Sequence, residues 1–233
     1  MIDIKNIKIF ILVGGFGTKL RKAVSNVPKP MVPINNKPFL SYQIDSIRKY
    51  LPKNQIYLLT HYMSYIIEEF FKDYIDVDII KENYPLGTGG SIKNALSVAD
   101  IKENDRLMIL NGDTYIEPNY IDFIEKSLEP INMMTTMIDD CSRFNTLEID
   151  NGIIDKFNKK NNNFKKKYIN AGCYLFNNLD FFNNIDENKF SLEDKFSEKI
   201  DTLKISAYEY KKIFIDIGIP EDYVKLMKRK ENE

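Results

Sequence analysis

Five runs of strand length, rich in Ile, Val and Leu, punctuate the first 138 residues: Ile7 to Val13, Gln55 to Thr60, Val77 to Lys81, Arg106 to Leu110 and Asn132 to Ile138. Near-continuous apolar runs predict strands buried on both faces. Between the first four runs the apolar residues fall at helical spacing. Pro38 to Leu51 carries Phe39, Tyr42, Ile47 and Leu51; Tyr62 to Tyr74 carries Ile66, Ile67, Phe70 and Phe71; Ser91 to Ala99 carries Ile92, Ala95, Leu96 and Ala99. Strands alternating with helices predict an α/β fold with a doubly wound, mostly parallel, Rossmann-like sheet. After residue 138 the runs shorten. Asn151-Gly152, between Thr146 to Asp150 and Ile153 to Phe157, predicts a two-residue hairpin. Ser191, with Asp194 three residues on and Leu192, Phe196 and Ile200 on one stripe, predicts a capped amphipathic helix. A last helix should open at Pro220 and end near the basic run Lys228 to Lys230. With no Pro/Gly/Ser linker and no internal repeat, residues 1–233 read as one domain, wound α/β to about residue 138 and α+β in character from 139 to 233.

Composition narrows the classes. Apolar residues make up 43% of 233, enough for a sizeable core. Lys plus Arg total 33 and Asp plus Glu 34, a formal charge of −1, so nothing electrostatic points to a nucleic-acid partner. Cys141 and Cys173 lack CxxC or Cys/His spacing, which argues against a disulfide scaffold or structural zinc and for a reducing compartment. The apolar stretch Ile9 to Val13 is too short for a bilayer and no small-residue cleavage site follows it. The expectation is a cytoplasmic protein without membrane attachment.

Gly14-Gly15-Phe16-Gly17-Thr18-Lys19-Leu20 directly follows the first strand, where a doubly wound sheet presents backbone N–H groups to anions. Closely spaced glycines let the backbone approach phosphate oxygens, and Lys19 and Arg21 add charge. A dinucleotide fingerprint fits poorly, since Leu20 stands where its third glycine belongs and the second strand closes on Thr60-His61 rather than an acid. No GxxxxGK[ST] spacing exists for a P-loop. The glycine loop, followed by Pro28-Lys29-Pro30-Met31 and Asn36-Lys37-Pro38-Phe39-Leu40, resembles the signature of the sugar-1-phosphate nucleotidyltransferases. The similarity continues through Pro85-Leu86-Gly87-Thr88-Gly89-Gly90, Asn111-Gly112-Asp113-Thr114, Asn170-Ala171-Gly172 and Asp216-Ile217-Gly218-Ile219-Pro220, covering nearly the whole chain in order. Within that family the chain looks most like the D-glycero-D-manno-heptose 1-phosphate guanylyltransferases. Lys19 departs from the family's usual Arg, exchanging a bidentate fork for a point charge.

The resemblance implies a nucleotide-binding half over about 1–138 and a sugar-phosphate half over about 139–233. It implies Mg²⁺ held by Asp113 and Asp216, with Lys29 and Lys19 facing the triphosphate as catalytic cations. Val13, Gly14, Gly15, Gly17, Thr18, Gly87 and Thr88 complete the implied nucleotide site. The implied reaction is attack of a sugar 1-phosphate oxygen on the α-phosphorus of an NTP. A phosphate monoester is already ionised near neutral pH, so no general base is needed, and holding two anions in line contributes roughly 7 to 11 kcal/mol. His61, the single histidine, reads as structural. Glu82 falls where the family reads the base edge. A carboxylate only accepts hydrogen bonds, and guanine's N1–H and N2–H₂ are the common base edge that offers two adjacent donors, so GTP is the expected nucleotide. Asn145, Lys160, Asn170 and Gly172 match the family's sugar-phosphate positions, although Asn145 replaces a glycine and Lys159 stands where the motif has an acid that helps bind the sugar. Alternatives at this point are mannose 1-phosphate with GTP, a CTP-using relative, and a catalytically silent nucleotide sensor. The pair Phe181-Phe182 and the stretch Tyr208 to Phe214 are candidate homodimer contacts.

Overall fold

A computed structural model describes residues 4–20, 24, 26–99, 101, 102, 105–160 and 166–232. The chain opens with β1 (Ile7–Leu12), β2 (Pro33–Ile34), β3 (Lys37–Pro38) and α1 (Phe39–Arg48). It continues through β4 (Ile56–Thr60), α2 (Ser64–Phe71), β5 (Val77–Lys81), α3 (Gly87–Val98) and β6 (Arg106–Asn111). Next come β7 (Thr114–Tyr115), α4 (Tyr120–Lys126), β8 (Ile131–Ile138), β9 (Thr146–Asp150) and β10 (Ile153–Asn158). The last elements are β11 (Lys167–Phe176), α5 (Asp180–Asn183), α6 (Leu192–Lys199), β12 (Ile205–Glu209), β13 (Ile215–Asp216) and α7 (Pro220–Glu231).

One mixed sheet in the order β5-β4-β1-β6-β11-β8-β12-β10-β9 runs through both halves, and β9 also pairs with β11. Only β10 and β11 run against the other strands, so the sheet is mostly parallel in direction. Successive residues face opposite sides, as a strand's period of two requires. Ile9, Ile11, Met108, Leu110, Cys173 and Leu175 enter one core, while Phe10, Leu107, Ile109, Tyr174 and Phe176 enter the other. A third cluster, around Val32, Phe39, Tyr115, Ile215, Ile217 and Leu226, clamps β13 and α7 beside the Pro28-to-Met31 segment.

Three features differ from the sequence expectations. The helix expected from Ser91 begins at Gly87, because the Phe190 carbonyl accepts from the N–H groups of Gly89 and Gly90 at 3.0 and 3.2 Å and caps it from a distant segment. A Cβ at Gly89 would lie 2.1 Å from the Phe190 ring, so close packing sets this glycine. β11 was not anticipated; a register shift between Asn170 and Tyr174 breaks its pairing with β8, at the turn where Gly172 has φ +72°. Phe181 and Phe182 pack on Phe176 and Phe196 inside the second core, which removes that pair as a dimer surface. Among the described residues no helix is long and apolar enough to cross a membrane.

Candidate functional site

Three local devices bring the catalytic candidates together. β7 and β13 pair antiparallel with Asp216 opposite Thr114, and the Ile217 N–H donates to the Asp113 carbonyl at 3.0 Å, so two distant carboxylates become neighbours. Gln43 Nε2, from α1, donates to the carbonyls of Asn111 and Thr114 at 2.9 and 2.8 Å and braces the turn that carries Asp113. Lys29 opens a tight 3-10 turn between two prolines, with the Cβ position of Gly17 against its stem. Its ammonium donates to Asp113 Oδ2 at 2.7 Å and to Asp216 Oδ1 at 3.3 Å.

Two clefts meet on Asn111 and Asp113. The first, about 310 Å³, is lined by Gly14, Gly15, Glu82, Gly87 and Thr88 together with Phe16 and His61. Glu82 is buried there and its Oε2 accepts from the Leu86 N–H at 3.2 Å. His61, expected to be structural, stands in this wall; its Nδ1 lies 3.1 Å from the Glu82 carbonyl, to which it donates, and the Phe16 ring meets its imidazole edge-to-face at 5.6 Å. The second cleft, about 290 Å³, is lined by Arg143, Asn145, Lys160, Asn170, Glu193 and Asp216.

The remaining expected residues fall elsewhere. Val13 is buried in the core and its N–H donates to the Leu59 carbonyl at 2.9 Å, while Thr18 and Lys19 are exposed and outside the cleft walls. Arg21 lies outside the described residues. Gly172 backs Asn111 and Thr114 rather than lining a cleft. Arg143 and Glu193 carried no assigned role in the sequence. Arg143 Nη2 lies 2.7 Å from Asp222 and 3.9 Å from Asp216. Glu193 accepts from Tyr174 and Thr88, contacts that join elements far apart in the chain. Burial, followed by the negative charge of Glu193, pushes the Tyr174 phenol well above its usual value, so it remains a donor.

Two carboxylates converging on one cation suit a divalent ion. Among the described residues no group of three or more His, Cys, Asp or Glu is placed to hold a metal alone. An ion held by Asp113 and Asp216 would need further oxygen ligands from phosphate or water, a donor set that suits a hard divalent cation. The arrangement is suited to moving a phosphoryl-type group from a ligand in one cleft to a ligand in the other.

Comparison with known proteins agrees with that chemistry. The chain is 37% identical over 221 residues to the D-glycero-alpha-D-manno-heptose 1-phosphate guanylyltransferase of Campylobacter jejuni, covering 91% of this chain and 95% of that protein. It is 35% identical over 229 residues to the enzyme of the same name from Aneurinibacillus thermoaerophilus, covering 94% and 96%. The crystal structure of HddC from Yersinia pseudotuberculosis complexed with GMP-PN superposes with a TM-score of 0.83 at 37% identity, covering 96% of this chain and 99% of that one. With the nucleotidyl transferase family model matching residues 8–233 as well, the chain belongs to the nucleotidyl transferase family.

Proposed function

We propose that the protein transfers a guanylyl group from GTP to a sugar 1-phosphate, with D-glycero-D-manno-heptose 1-phosphate the leading acceptor, giving a GDP-sugar and pyrophosphate. The observation that carries this reading is the meeting of two clefts on Asp113, with Lys29 and Asp216 at the junction. Residues 1–138 supply most of the nucleotide cleft and residues 139–233 most of the acceptor cleft. In the first, the Glu82 carboxylate accepts from guanine N1–H and N2–H₂ while Gly14 and Gly15 let the backbone approach the phosphates. In the second, Lys160 and Arg143 attract the acceptor's phosphate, with Asn145 and Asn170 beside it. An ionised phosphate oxygen forms the new bond to the α-phosphorus as the bond to the pyrophosphate oxygen breaks, and no protein base is required. Lys29, turned from the carboxylates toward the phosphates, offsets charge on the reacting groups.

The family generally uses a divalent metal, and here Mg²⁺ is the proposed ion, with Asp113 and Asp216 its protein ligands. When bound it neutralises phosphate charge and helps hold the reacting oxygens in line. The reading is supported by the names of the relatives and by a base reader that suits guanine. Its test is a pyrophosphate-release screen of four NTPs against sugar 1-phosphates that include heptose and mannose. GTP with a heptose 1-phosphate should give the highest kcat/KM; a different best pair corrects the substrates, and no product with any pair ends the reading.

A further inference from the structure

Three carboxylates line the acceptor cleft: Asp113 and Asp216, which share the Lys29 ammonium, and Glu193. Glu193 stands in the first turn of α6, half-buried, and no Lys or Arg among the described residues pairs with it. Its partners are neutral hydroxyls. Tyr174 donates to Oε1 at 2.8 Å, while Thr88 Oγ1 and Ser191 Oγ donate to Oε2 at 2.9 and 3.3 Å. The geometry is rigid, because Tyr174 is fully buried and Thr88 Oγ1 itself accepts from the Leu192 N–H at 2.8 Å. A carboxylate offers about four acceptor sites, so acceptor capacity remains after these three donors. A half-buried anion without a cation is best served by a further O–H donor, and it repels phosphate. Lys159, where the resemblance expects an acid for the sugar, is exposed and outside the cleft wall.

Resting on the guanylyltransferase reading above, we propose that Glu193 reads a ring hydroxyl of the acceptor sugar, supplying from α6 the carboxylate that Lys159 does not. It is a specificity residue, held in place by Tyr174 and Thr88. The sugar's phosphate lies toward Lys160 and Arg143, so the hydroxyl concerned is on the part of the ring nearest α6.

The test measures kcat/KM by pyrophosphate release for wild type and E193Q, with GTP and a series of monodeoxy sugar 1-phosphates built on the best acceptor of the screen. A site built to bond a substrate hydroxyl rejects the analogue lacking it, so wild type should lose roughly 100-fold or more on one monodeoxy acceptor. In E193Q the parent and that analogue should fall within about 3-fold of each other, with the KM for GTP moved by no more than about 3-fold. Because the new amide faces hydroxyl donors, E193D serves as a second variant; it keeps the charge, withdraws it by one methylene, and should cut the discrimination about tenfold or more. A wild type that treats every monodeoxy acceptor alike overturns the proposal. So do variants that keep the full discrimination, or that raise the KM for GTP as much as that for the acceptor. No turnover of any sugar 1-phosphate would sink the guanylyltransferase reading and this proposal with it, whereas turnover that is blind to Glu193 sinks this proposal alone.

Discussion

Lys29→Met tests the junction of the two clefts most directly. Without the ammonium, Asp113 Oδ2 and Asp216 Oδ1 face each other at no more than about 6 Å, since both now touch one nitrogen at 2.7 and 3.3 Å. Two like charges at that separation repel by about 0.7 kcal/mol in bulk water and about 3 kcal/mol at an effective dielectric of 20. The aspartates are 40% and 25% exposed, which places the figure toward the aqueous end, about 1 to 1.5 kcal/mol. In a chain of this size that lowers Tm by roughly 2 to 6 °C. Turnover should fall by about 10² to 10³, the usual loss on removing one aimed donor from a site of developing charge. The diagnostic readout is metal dependence without nucleotide. Freed of their ammonium, the carboxylates should bind a divalent cation more tightly, and Mg²⁺ at about ten times its Kd returns about 1.4 kcal/mol. Calorimetric Tm should therefore rise with Mg²⁺ in the variant and move less in wild type. Wild-type turnover, or a Tm loss that Mg²⁺ does not touch, refutes the assignment of these groups to one cation site.

Replacing Glu82 by Gln substitutes an edge that both donates and accepts, so the preference for GTP over UTP in kcat/KM should fall by about 10- to 100-fold; an unchanged ratio removes Glu82 as base reader. Gly172→Ala places a Cβ 3.0 Å from Asn111 Nδ2 and 3.1 Å from Thr114 Oγ1 at φ +72°, and the strain should lower stability by about 1 to 3 kcal/mol in denaturant titrations. A midpoint equal to wild type's would mean that the turn yields without cost. Both cysteines are buried, and burial pushes the Cys173 thiol up, so neither should react with a thiol reagent at pH 8 until the chain unfolds. Rapid native labelling of Cys173 would contradict its place on β11 inside the first core.

The wound half of the fold was legible because its information is local. β1, β4 and β6 are near-continuous apolar runs whose residues feed both cores, the pattern of strands covered on both faces. The start of α3 was not legible. Three glycines in its first turn argue against a helix on propensity, and the carbonyl that satisfies two of their N–H groups belongs to Phe190, about a hundred residues away. β11 was hidden for a related reason: Asn170 and Gly172 interrupt its pattern at the register shift that presses the turn against Asn111.

The candidate site divides along the same line. Motif residues Gly14, Glu82, Asn170 and Asp113 line the two clefts, each within a segment whose local pattern is readable. Asp113 and Asp216 were paired only through resemblance, since their approach depends on the β7–β13 register, and two-residue strands have no periodicity to read. Arg143 and Glu193 had no local signature at all. Ser191 accepts from the Asp194 N–H at 3.2 Å, which made the α6 sequence look fully explained as a capped helix packed on the core. A helix N-terminus and a cleft wall both favour an acid, one by its dipole and the other by accepting hydroxyls. Sequence alone cannot apportion Glu193 between those causes. The hydrogen bonds from Tyr174 and Thr88 can, because a carboxylate that served only the helix end would not need donors from β11 and α3.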